Sequence, residues 1–377
     1  MKTVSERRSL SVRPMLIALA LVLSISIPFS AQDRPIMRVQ EDCTSFAYGY
    51  DGRIAYSVRQ IFHVKKLTFE RDDIWILSPN GGKRRLIEGE KFTRGDSPIS
   101  YKVVAFRWSP DSKQLAVELF TSKMTNAHGD TTQGTQTLLL NDTGSEIKIP
   151  GGDSLIAGAS DAQWLSDNNT LVYLSANASG AGPSTVNELH AASGRITQPF
   201  ADHWFAAVAW YPQQQGGVAV ETNTSRSGAI KLVWLDLEHQ TIRDLANLDA
   251  YVTGLSISPS GRRVAYYIDP EVLEVRDLDA PQRVARGRIA VGTYFWAADD
   301  SRILLKRGPA QEMRDIVWIQ LPPLAIPRPG TPIPLPQPIP QPIFHDLEYP
   351  AFAISPDGRQ LAIVDPGHDN INIYPLP

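Results

Sequence analysis

The chain carries one short pattern seven times, and a supersecondary repeat of that length leaves few folds open. In FAISPDGRQLAIV, Phe352 to Val364, an apolar anchor at Ile354 is followed by Ser-Pro-Asp-Gly and then by Leu361-Ala362. Clear relatives have anchors at Trp108 (FRWSPDSKQLAVE) and Ile257 (LSISPSGRRVAYY). Weaker copies have anchors at Tyr48, Trp164, Trp210 and Trp296. The intervals between anchors are 60, 56, 46, 47, 39 and 58 residues, and in five copies the next apolar residue falls seven positions on, at Leu115, Leu171, Val264, Ile303 and Leu361.

Each interval also holds a second apolar run, a polar turn and a further short apolar run, as in DIWILSPNGGKRRLI (Asp73 to Ile87) and TLLLNDTGSEIKI (Thr137 to Ile149). Two hairpins per unit make four short strands, and units of four strands repeated at this spacing arrange radially. With 29 prolines and 26 glycines in 377 residues, turns are plentiful. The expected fold is therefore all-β, a β-propeller of seven four-stranded blades; six blades, with the Tyr48 copy as an irregular entry, is the alternative. The last copy ends one strand short, and PIMRV, Pro35 to Val39, belongs to no other unit. It is expected to supply the missing outer strand and so close the ring. The anchors are expected to pack blade against blade, as large aromatics at repeat positions usually do.

The motif residues resemble the TolB-type, WD40-like propeller repeat, most closely over Trp108 to Ala116 and Ile354 to Ala362 and well over Ile257 to Ala265. The resemblance spans residues 46 to 377. It implies a propeller of the kind found in exported bacterial proteins, and function is grafted separately onto such scaffolds. The extra amino-terminal domain of the TolB protein has no room here, which argues against an equivalent role.

Residues 1 to 31 read differently. Lys2, Arg7, Arg8 and Arg13 precede the apolar run Met15 to Ile27, and small residues follow at Ser30 and Ala31, the pattern of a secretory signal peptide. An uncleaved anchor is the alternative, because Phe29 is a poor residue three places before that cut. Residues 32 to 377 then form one propeller domain, interrupted at 322 to 343 by a Pro-rich insertion whose alternating prolines favour an extended loop, either a plain surface insertion or a docking segment. Periplasmic or extracellular location follows, with no membrane span after cleavage. Cleavage would leave 33 basic against 39 acidic side chains, a balance that argues against nucleic acid. The basic run Lys83-Arg84-Arg85 is short and reads as a solvated turn. The single cysteine, Cys43, excludes an internal disulfide and reads as a small buried hydrophobe.

Catalytic patterns are missing from the sequence. No Gly-x-Ser-x-Gly elbow occurs, and Ser154 in GGDSLIAG lacks the second glycine in place. The histidines, His63, His128, His190, His203, His239, His345 and His368, have no metal-ligand spacing, and the pairs Asp202-His203 and His345-Asp346 read as loop residues. The repeated acids Asp51, Asp111, Asp167, Asp299 and Asp357 could form a ring of carboxylates, yet two copies have Gln213 and Ser260 there, and a turn between strands wants Asp at that place for its own backbone. No catalytic, metal or cofactor-binding residue is nominated. The expected function is a non-catalytic, monomeric binding module for another protein of the cell envelope or exterior; the alternative is an enzyme acting on a small or sugar substrate in the central channel.

Overall fold

The computed structural model describes residues 34–64, 67–89, 99–124, 131–150, 152–175, 184–222, 230–269, 271–289, 292–307, 315–322, 333–336, 343–344, 351–365 and 370–376. The signal peptide expected over residues 1–31 lies outside them. The described residues belong to one compact unit, Ala31–Pro377, and apart from short 3-10 turns their regular structure is β. Among them no helix is long and apolar enough to cross a membrane.

The fold is a β-propeller, but its sheets correct the expected blade count. Three sheets are four-stranded, one has five strands, one has eight and one has three. Five blades with sheets of four strands or more thus stand against the seven, or alternatively six, four-stranded blades expected.

Two local causes account for the difference. The first two copies carry hairpins longer than a blade needs, Ile54–Val64 with Leu67–Leu77 and Gln114–Met124 with Thr131–Asn141. Their length brings Arg71 beside Tyr101 in a parallel pair, which merges the strands of both copies into one eight-stranded sheet. In the Trp296 copy, Tyr294–Trp296, Arg302–Arg307 and Asp315–Gln320 form a sheet with three strands among the described residues. Phe344 bridges Ile316 antiparallel at its outer edge.

The ends of the chain are joined as the sequence suggests. Met37–Gln40 pairs antiparallel with Asn370–Pro375, Met37 opposite Ile373 and Val39 opposite Ile371. Val39 is buried with Cys43, Ile54, Tyr56, Ala362 and Ile371, so this outer strand also contributes to the apolar layer between the last copy and the first. Apolar layers of the same kind lie between other successive copies rather than at one centre, for example Trp108 and Leu115 with Ala55 and Ile76.

The Pro-rich segment is tied down where it is described. Ile333–Pro334 adds a parallel fifth strand beside Val284–Arg288, and Leu335 is buried in the layer between that sheet and the three-stranded one. Phe344 is buried against Tyr374, with ring centroids 4.7 Å apart.

Deleting residues 34–40 should remove Val39 from its layer and leave the edge of Asn370–Pro375 unpaired, a loss of several kcal/mol. The melting temperature should fall by about 5 °C or more. An unchanged melting curve would show that the pairing contributes nothing.

Candidate functional site

The seven tight turns explain the repeated acids. In every copy that has the acid, its carboxylate accepts the backbone N–H two residues on: Arg53, Lys113, Asn169, Ser301 and Arg359 donate to Asp51, Asp111, Asp167, Asp299 and Asp357 at 3.0–3.1 Å. Ser109 and Ser355 add hydroxyl donors to Asp111 and Asp357 at 2.6 Å, and the Ser355 bond is the first cause holding the Asp357 carboxyl below the usual range. These acids are turn residues, and no ring of ligands converges from them.

A left-handed residue follows within each turn: Gly52, Ser112, Asn168, Gln215, Gly261, Asp300 and Gly358 all have positive φ. Where the residue is not glycine, its side chain can reach the turn of the preceding copy. Ser112 Oγ accepts the Asp51 N–H at 3.3 Å, Asn168 Oδ1 the Asp111 N–H at 2.9 Å, and Asp300 the Ser260 N–H at 3.2 Å. Left-handed backbone costs a non-glycine residue roughly 1–2 kcal/mol, less for Asn and Asp, and a hydrogen bond returns about 1 kcal/mol, so the two nearly offset. Gly261 has the opposite reason, since a Cβ there would lie 2.4 Å from the Tyr211 ring.

The anchors pack as expected. Trp108 and Trp164 are buried, and three indoles donate to the first strand of the preceding copy: Trp108 to Ala47 O at 3.4 Å, Trp210 to Asp161 O at 2.8 Å and Trp296 to Ser256 Oγ at 3.2 Å.

Around the axis, the first strands and turns of the copies enclose a cavity of about 840 Å³. Its wall carries the aromatic rings of Phe46, Tyr48, Tyr50, Tyr211, Phe295 and Phe352, and neutral polar groups such as Gln163 and Gln213. Because Ser258, Pro259, Ser355 and Pro356 also line it, the cavity reaches the face of the molecule that bears the tight turns. Five first strands shift register near their start, for instance between Val103 and Ala105. A bulge of this kind re-aims a side chain. Val104, at one of them, lines the cavity and is 56% exposed; Tyr50 at the rim is 47% exposed.

Among the described lining residues Arg107 is the one charged side chain. On the neighbouring first strand sits Asp161, with φ of 49° inside a bulge, its N–H donating to Glu118 Oε1 at 2.8 Å. Burial, and then the Glu118 carboxylate, push the Asp161 carboxyl up to about 6, with Arg107 opposing. Sequence reasoning passed over Arg107, Val104 and Asp161. Its one available signal was the position just before each anchor, which reads Ala47, Arg107, Gln163, Ala209, Ser256, Phe295 and Ala353 and holds a single charge.

The other residues weighed from the sequence serve local structure. His63 and His190 meet Thr68 and Thr170, His203 Nδ1 meets Glu221 at 2.5 Å, and His239 meets Asp236 at 3.0 Å. His128, His345, Asp346 and His368 lie outside the described residues. Among the described residues no three His, Cys, Asp or Glu side chains are placed to hold a metal. Ser154 donates to Glu146, not to a histidine. Lys83 pairs with Glu41, Arg84 donates to the Thr143 carbonyl and Arg85 pairs with Asp73 and Glu88, so two of the three basic side chains meet carboxylates. Cys43 is buried and donates to Ser45 O at 3.4 Å; burial pushes its thiol up to about 12, which leaves it unreactive.

The Asp161 carboxylate should cost stability only where it is ionised in the folded state. Its raised value means the cost is absent near pH 4, grows between pH 4 and 6 and is complete above pH 6. Asp161→Asn keeps a residue that tolerates left-handed backbone, and in urea unfolding it should gain roughly 1–2 kcal/mol at pH 7.5, after discounting for partial exposure, and almost nothing at pH 4. An equal gain at both pH values would contradict a buried charge as the cause.

No family model matches the sequence, and no curated protein matches it. Similar solved structures exist. The β-propeller domain of Cps50 (Swd1) from Myceliophteria thermophila superposes with a TM-score of 0.55 at 10% identity, over 91% of this chain and 99% of that one. An oligogalacturonate lyase in complex with manganese superposes with a TM-score of 0.50 at 10% identity, over 91% of this chain and 98% of that one. At such identities the likeness is one of fold, and it is a β-propeller in both.

Proposed function

We propose that the protein is an exported, monomeric, non-catalytic binding module that takes an extended segment of another envelope or extracellular protein into its axial cavity from the turn-bearing face. The observation that carries this reading is the cavity wall: aromatic rings, amides and hydroxyls, with Val104 and Tyr50 exposed, on a rim held by the hydrogen-bonded turns. Exposed apolar groups on a rigid polar rim suit a peptide segment, because ordering the rim adds little cost on binding. Export rests on the basic and apolar leader of residues 1–31, and the TolB-type motif residues fit the same setting.

A small or sugar substrate is the second reading, favoured by the size of the cavity and its aromatic wall. The two separate in one experiment. A phage-displayed library of linear peptides, selected on the immobilised protein, should yield binders that Val104→Asp weakens at least about tenfold, the effect of a charge in an apolar contact. Absence of enrichment, or binders indifferent to Val104→Asp, would overturn the peptide reading; turnover of oligosaccharides would establish the second.

A further inference from the structure

We propose that Arg107 is the anchor for a carboxylate, so that the segment bound in the cavity is an acidic one with an aromatic or aliphatic residue beside the acid. This rests on the peptide-binding reading and specifies its partner. Arg107 lies at the position before the Trp108 anchor, on the strand Ile99–Trp108, and lines the cavity half-buried. Its guanidinium donates from one nitrogen to the neighbouring Phe106 carbonyl at 3.2 Å. Among the described residues it makes no ion pair. Asp161, whose charge it feels, stands on the adjoining strand and does not hydrogen-bond to it.

Arg107 differs from the arginines that are tied to an internal carboxylate. Arg53 is held by Asp51 and Asp142, Arg59 by Asp72 and Glu70, Arg276 and Arg286 by Glu274, and Arg283 by Asp277. Each has an internal carboxylate and a structural duty. Arg107 keeps most of its donors for whatever enters the cavity. A guanidinium presents a planar fork that matches a carboxylate in two parallel hydrogen bonds, and the pairing strengthens where walls exclude water. Val104 and Tyr50, exposed on the same cavity wall, give apolar neighbours of the acid a surface to cover. Gln163, one strand away at the equivalent position, adds a neutral donor.

The test uses two pools of N-acetylated, C-amidated nonapeptides, random except for a central Leu-Glu-Phe in one and Leu-Gln-Phe in the other, titrated by fluorescence anisotropy. The Glu pool should bind the protein about tenfold tighter than the Gln pool, as a charge-assisted hydrogen bond provides. That preference should vanish in Arg107→Gln and survive in part in Arg107→Lys, with unchanged melting temperatures reporting an intact fold. Equal binding of both pools to the unaltered protein would overturn the acidic anchor while leaving peptide binding standing. Failure of both pools to bind would overturn the peptide reading and the anchor with it. Because the comparison of pools needs no variant, it holds even if Arg107→Gln misfolds.

Discussion

The structure depends on one small device, the capture of a backbone N–H by a carboxylate two residues before it, at the turn between the first two strands of a copy. That bond sets a left-handed residue immediately after the acid, and the left-handed residue in turn points back at the preceding copy. Ser112, Asn168 and Asp300 use that geometry to hold the turn before them. Arg53 and Gln114 repeat the link with their own side chains, donating to the carbonyls of Ser112 and Asn168 at 2.6 Å. A local turn therefore acts as a joint between successive copies.

Indole hydrogen bonds make a second layer of joints below the turns. Trp108, Trp210 and Trp296 each reach the first strand of the copy before them, so their polar edge is satisfied while their area fills the layer between sheets. Neighbour-to-neighbour joints of this kind tolerate irregular sheets, since no single centre has to be filled. That is why merged hairpins at Arg71 and Tyr101, a three-stranded sheet and an added strand from the Pro-rich segment coexist in one propeller.

What the sequence made legible follows from which constraints are local. The turn role of Asp357 and its counterparts could be read because the bonding partners sit two residues away. The outer strand at Met37–Gln40 could be read because the repeat ended one strand short. Blade count could not, because it depends on how far Leu67–Leu77 extends past its turn to meet Tyr101, and on a sheet edge that Phe344 meets by a single bridge. The burial of Leu335 was hidden for the same reason, since its pocket is built by Gly287 and by layers distant in the chain.

The site was the least legible part because it is made by the residues the repeat leaves free. Anchors and turn acids are fixed by packing and by the backbone, and what is fixed for folding cannot discriminate ligands. The position before each anchor is held less tightly by side-chain chemistry and varies from alanine to phenylalanine to arginine. At Trp108 that freedom places a guanidinium in the cavity wall with one carbonyl as its described partner. A guanidinium that makes no ion pair among the described residues leaves donors that a ligand carboxylate could fill. In the binding module proposed above, specificity would be carried by a single column of the repeat, and the chemistry of that column, one cation among neutral and aromatic groups, is what a bound segment would have to complement.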